Sequence, residues 1–120
     1  MNFSDYQTQA VKTAIYDDAD YIIYPALGLL SEAGEVAGKI KKVLRDHKGN
    51  FTPELREQIA DEAGDSLWYL ANLCTDLGVD MASVAQKNLN KLNSRMARGV
   101  IQGSGDNRWA ALNQTLIQNL

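Results

Sequence analysis

Through most of the 120 residues, apolar side chains return at three- or four-residue intervals, and no useful stretch alternates apolar with polar at the period of a strand. That pattern predicts an all-α protein. A first helix is expected from about Ser4, a candidate N-cap, to about Tyr16, where the acidic run Asp17 to Asp20 breaks it. A second starts near Tyr24 or Pro25 and continues through "ALGLLSEAGEVAGKIKKVLRD" to a loop at "HKGN", with Lys41, Lys42 and Arg45 at its cation-favouring C-terminal end. The third has the sharpest punctuation: Thr52 as N-cap, Pro53 at the first position, Glu54 in the first turn and Gly78 as the C-terminal cap. A fourth runs from near Asp80 to Gly99, followed by the glycine-rich "VIQGSGDNR" and a segment, "WAALNQTLIQNL", with the pattern of a short helix.

The expected architecture is a four-helix bundle-like domain over residues 1–108 with a C-terminal segment at 109–120. Wide apolar faces in so short a chain predict completion by a second copy, as a homodimer or homotetramer. A hydrophobic fraction of 45%, a charged fraction of 22% and two prolines describe one globular domain. The net charge of -3 argues against a nucleic-acid polymer as partner, since phosphate-backbone binding needs a basic excess. The single cysteine, Cys74, lies in an apolar segment and reads as a buried small hydrophobe in a reducing compartment. The N-terminus has no basic start followed by an apolar run, and nothing approaches the roughly 18 apolar residues of a membrane span. A cytoplasmic protein with no membrane partner is the expectation.

One pentapeptide pattern occurs twice, as "SEAGE" (Ser31 to Glu35) and "DEAGD" (Asp61 to Asp65). Each copy puts like charges on adjacent helical turns and a glycine between them, both locally unfavourable. At about 100° per residue, with Glu32 at zero, Glu35 falls near −60° and the apolar Val43, Val36, Leu29 and Ile40 between about 20° and 80°. With Glu62 at zero, Asp65 falls near −60°, and Leu73, Ile59, Leu77 and Leu70 between about 20° and 80°. The two faces match. Packed together they would converge four carboxylates at the edge of a core, where unpaired charge is costly and a bound cation resolves the conflict. An all-oxygen donor set selects a hard ion, Mg²⁺ or Mn²⁺. Gly34 and Gly64 lie near 200°, on the opposite side, and read as places for another helix or subunit to approach closely. Against these readings stand ordinary ones: a lone ExxE is commonly a solvated pair, and Lys39 is spaced for a surface ion pair with Glu35. A di-iron centre needs Glu-x-x-His, whereas Leu44 stands three residues before the only histidine, His47, which reads as a loop residue.

The stretches "GLLSEAGEVAGKIKK", "DEAGDSLWYLANL" and "NLNKLNSRMARG", in that order and spacing, resemble the MazG-like all-α nucleoside triphosphate pyrophosphohydrolases. With the loop "GSGDNR" the resemblance spans about Tyr24 to Arg108. It implies Mg²⁺-dependent hydrolysis of a (deoxy)nucleoside triphosphate to the monophosphate and pyrophosphate, for nucleotide pool control or removal of aberrant nucleotides. It carries Glu32, Glu35, Glu62 and Asp65 across as catalytic metal ligands and turns Asn88, Lys91 and Arg95 toward phosphates or nucleotide, where the residue types alone fit a solvated polar face equally well. Tyr69, near −20° on the acid side of its helix, is placed to touch base or sugar, and Trp68, near −120°, to pack or contact a subunit. Arg108 and Asn107 are the donors if the "GSGDNR" loop closes over the phosphates rather than simply ending the helix. Many members carry two adjacent acids where this chain has Ser31 and Glu32, which leaves the general base unassigned. The alternative is a non-catalytic helical oligomerisation or nucleotide-sensing module.

Overall fold

The computed structural model describes residues 1–102, so the whole "GSGDNR" loop with Asn107 and Arg108, and the expected C-terminal helix, lie outside the described residues. Four α-helices and no strand occur among them: α1 (Phe3–Ala10), α2 (Ile23–His47), α3 (Pro53–Asp76) and α4 (Met81–Ala97). Residues Met1–Ala82 form one compact unit, and a second begins at Ser83.

α1 is capped by Asn2 rather than Ser4. The Asn2 side chain accepts from the Asp5 amide at 2.8 Å while the Asp5 carboxylate accepts from the Asn2 amide at 3.4 Å, a reciprocal capping box. Ser4 sits inside the first turn and donates to Asp80 at 2.6 Å instead. The helix also stops well short of Tyr16. A 3₁₀ turn at Val11–Thr13 follows, and Ala14 is extended. Tertiary bonds outcompete helical propensity here: the Thr13 hydroxyl donates to the Ala10 carbonyl at 3.0 Å and accepts from the Trp68 indole at 2.8 Å. Tyr16 is drawn away to α3, where its hydroxyl donates to Asp76 at 2.8 Å.

α2 begins at Ile23, close to its predicted start. Ile22 before it holds a φ of 67°, a left-handed backbone unusual for a β-branched residue. Asp76 holds this position too, accepting the Ile22 amide at 3.0 Å. One carboxylate, 9% exposed, therefore anchors both ends of the segment between Tyr16 and Ile22. At the other end α2 runs through His47, so that histidine belongs to the last helical turn and not to a loop. α3 starts as its sequence dictates, with the Thr52 hydroxyl accepting from the Leu55 amide at 3.3 Å and Pro53 at the first position. It ends in a Schellman motif: Gly78 takes a φ of 70° while the Val79 amide reaches the Cys74 carbonyl at 3.0 Å.

α2 and α3 form an antiparallel hairpin, with Val43 and Pro25 fully buried along α2. α1 packs on the far half of α3, where Ala10, Ala71, Cys74 and Met81 form a buried cluster covered by Tyr6, Leu67 and Trp68. Cys74 is thus the small buried hydrophobe expected of it. Not every position assigned to the apolar stripes is covered, since Leu77 is 52% and Leu70 36% exposed. No helix among the described residues is long and apolar enough to cross a membrane.

The Asp76 anchor is testable. Asp76→Ala should lower stability in urea by about 2–3 kcal/mol, because it strands two donors, whereas Tyr16→Phe should cost about 1 kcal/mol. An Asp76→Ala protein that unfolds at the wild-type midpoint would show that the anchor holds nothing.

Candidate metal centre and the groove around it

Packing α2 against α3 brings Glu32, Glu62 and Asp65 together, each offering a carboxylate oxygen within 4.8 Å of the others. Glu32 and Glu62 are partly buried and Asp65 is exposed. Glu35, the fourth expected ligand, is exposed and outside this group, although its charge still reaches it. The pKa of Glu32 is raised, first by loss of solvent and then by the charges of Asp65, Glu62 and Glu35. Among the described residues the cation in contact with this group is Lys39, whose Nζ lies 3.4 Å from Glu62 Oε1. Lys39 therefore pairs across the hairpin with Glu62 and not along its own helix with Glu35. Among the described residues, three carboxylates against one contacting ammonium leave negative charge uncompensated, and a closely spaced all-oxygen set fits a hard divalent cation.

Toward the N-terminus of α2 the centre adjoins an aromatic pocket. Tyr69, one helical turn beyond Asp65, packs its ring directly over Gly28, where any Cβ would overlap the ring. Gly28 therefore does what the sequence reading sought in Gly34 and Gly64: neither of those has another atom within 4 Å of where a Cβ would stand, so no described helix approaches them. Only a pattern of glycine opposite an aromatic on the facing helix would have singled Gly28 out. Tyr69 meets Trp68 edge-on at 5.0 Å and Tyr24 at 6.2 Å, and Tyr24 stacks on Tyr16 at 5.0 Å. The Tyr69 pKa is raised by burial, then by its hydrogen bond with Tyr24, then by charges that include Glu32 and Asp65. These rings, with Thr13, Ile15, Asp17 and Asp20, line a cavity of about 300 Å³. Trp68 packs on the core cluster, as expected, but also walls this cavity. Tyr16 and the Asp17 to Asp20 segment escaped the sequence reading because the Asp76 anchor, which no local spacing shows, brings them here, and Tyr24 was read only as a helix start.

Toward the other end of the hairpin a second cavity, of about 240 Å³, is lined by Lys39, Lys42, Val43, Asp46, His47, Leu55, Gln58 and Ile59. In the second unit, Asn88 and Lys91 line one cleft with Lys87, Ser94 and Arg98, while Arg95 is not part of its lining.

Comparison with known proteins adds the following. Residues 25–99 match the MazG nucleotide pyrophosphohydrolase domain. The chain is 49% identical over 114 residues to the "Gene 37 protein" of Mycobacterium phage L5, an alignment covering 90% of this chain and 100% of the phage protein. No solved structure matches.

The crowding of carboxylates has a measurable sign. Because the Glu32 pKa is raised in the folded state, the contribution of this one group to stability is fullest at pH below the ordinary carboxylate range and is lost as pH rises through its folded-state pKa. In chelator, thermal midpoints should show this loss for the wild type and a smaller one for Glu32→Gln, which should melt about 2 °C higher at neutral pH and gain less from added Mg²⁺. A variant that melts below wild type in chelator would mean that the carboxylates do not repel one another.

Proposed function

The chain belongs to the MazG nucleotide pyrophosphohydrolase family, and on that basis we propose that it hydrolyses a (deoxy)nucleoside triphosphate between the α and β phosphates, with Mg²⁺ or Mn²⁺. The observation that carries this reading is the convergence of Glu32, Glu62 and Asp65 one helical turn from the Tyr69 aromatic cluster. In the reaction the water oxygen bonds to the α-phosphorus, the bond from phosphorus to the bridging oxygen breaks, the electron pair leaves with pyrophosphate, and a proton passes to solvent. Glu32, Glu62 and Asp65, with Glu35 at the edge, would hold the metal, which would supply charge stabilisation at the phosphate oxygens and a more acidic water. Tyr69 and its neighbouring rings offer faces on which a base stacks. In this reading Asn88, Lys91, Arg95 and Arg108 contact the phosphates or the nucleotide. The role is nucleotide pool control or disposal of aberrant nucleotides in the cytoplasm, a setting that suits a chain whose one cysteine is buried and free.

We further propose that the working form is a homodimer or homotetramer. Ile23, Leu27, Leu30 and Leu44 are 63%, 63%, 73% and 62% exposed in the single chain. By helical geometry they fall between about 120° and 220° from Glu32, on the side that also carries Gly34. A second copy packed there would cover them and use the close approach that the glycine permits.

A pyrophosphate-release assay across standard and modified nucleoside triphosphates, with Mg²⁺ and with chelator, tests the reaction. Metal-dependent formation of the monophosphate is expected, and Glu62→Gln should lose at least about 100-fold in kcat while staying helical. Full activity in that variant refutes the assignment, and a folded wild type inert on every nucleotide favours a non-catalytic binding module. For the assembly, Leu27→Glu with Leu30→Glu should move the protein toward monomer in sedimentation equilibrium, and an unchanged mass would refute the interface.

A further inference from the structure

The cavity at the closed end of the hairpin is unlike the aromatic one. Its floor is apolar, with Val43 fully buried beside Leu55 and Ile59, and its rim carries Lys39, Lys42 and His47. Two of these are ammonium groups and the third is an imidazole, in a protein whose net charge is -3. Asp46 also lines the cavity, but it is engaged by the neighbouring Arg45, whose guanidinium donates to both of its carboxylate oxygens at 2.8 and 2.9 Å. Asp46 is accordingly held below the usual carboxylate range, first by that hydrogen bond. Lys39, Lys42 and Arg45 make three positive groups against two carboxylates, Asp46 and the Glu62 that Lys39 touches.

The position of the cavity is as informative as its charge. On α2, taking Glu32 as zero, Tyr24, Gly28, Lys39, Lys42 and Asp46 all fall between about −80° and −20°. On α3, taking Glu62 as zero, Leu55, Gln58, Asp65 and Tyr69 fall between about −60° and 20°. The aromatic pocket, the carboxylates and the cationic cavity are therefore stations along one face of one hairpin, in that order. From Tyr69 to Glu62 the rise along α3 is about 10 Å, and from Glu62 to Gln58 about 6 Å. Lys39 joins the last two stations, since it lines the cavity and also lies 3.4 Å from Glu62. A nucleoside triphosphate presents the same order: a flat base, the α-phosphate where bond cleavage occurs, and a highly charged diphosphate.

We propose that the Lys39, Lys42 and His47 cavity receives the β,γ-diphosphate of the substrate and holds pyrophosphate as the leaving group. This assignment rests on the pyrophosphohydrolase reading for its substrate. It gives Lys39 a dual position, as counter-ion of Glu62 in the free protein and as a donor to phosphate in the complex. Lys42 and His47 are exposed side chains whose polar ends reach the diphosphate without rearrangement of the apolar floor.

His47 is the only histidine in the chain, so its imidazole proton resonances report on this cavity alone. In chelator, titration of the whole protein with inorganic pyrophosphate should shift these resonances saturably, and sulfate at matched ionic strength should do so far less. In Mg²⁺-supported turnover, Lys42→Gln should raise the inhibition constant for pyrophosphate and lower kcat/KM, each about five- to tenfold. An unshifted His47, an equal response to sulfate, or wild-type product inhibition in Lys42→Gln would each overturn the proposal. Turnover without a His47 response removes the cavity alone, whereas a selective His47 response in a protein without turnover keeps the cavity and removes the catalytic reading.

Discussion

Mutual repulsion among Glu32, Glu62 and Asp65 is the constraint around which the hairpin is organised. Two helices seldom bring three carboxylates within 4.8 Å of one another unless packing elsewhere enforces it. Here the enforcement comes from both sides. Val43 and Pro25 bury themselves along the α2–α3 seam, and the Tyr69 ring seats over Gly28, fixing register on the aromatic side. Lys39 reaches across to Glu62 on the other, relieving part of the charge. The protein tolerates a locally unfavourable arrangement because apolar burial outweighs it.

The helical fold and much of the site could be read from sequence, for identifiable reasons. Helical periodicity in α2 and α3 is long and strongly capped, so Thr52, Pro53 and Gly78 marked their own positions correctly. The angular match between "SEAGE" and "DEAGD" predicted convergence, and three of the four acids do converge. Local rules failed where distant partners decide. Ser4 looked like a cap until Asp80 claimed its hydroxyl, and the first helix lost its last turns to Trp68 and Asp76. His47 looked like a loop residue because the chain stays helical through a turn that the sequence punctuation did not show. Lys39 had two acids within reach, and i to i+4 spacing favoured the wrong one.

The same hairpin also carries two contrasting cavities on either side of the acids. Aromatic side chains concentrate where α1 and the segment before α2 lie against α3, whereas lysines concentrate near the α2–α3 turn. That polarity follows from helix chemistry. The C-terminal end of α2 favours cations, and the far half of α3 supplies the apolar surface on which rings pack. A hairpin with an aromatic cavity on one side of its acids and a lysine-bearing cavity on the other has the chemical outline of an amphiphilic anion.

The segment from Tyr16 to Ile22 is tied at both ends to a single carboxylate, with five residues spanning the interval. Such a closed bight transfers its structural burden to its endpoints. Asp17, Asp18, Ala19, Asp20 and Tyr21 carry no part of the buried core, yet Asp17 and Asp20 wall the aromatic cavity. Substitutions among these five can therefore recontour the cavity at little cost to folding while leaving the acidic hairpin untouched.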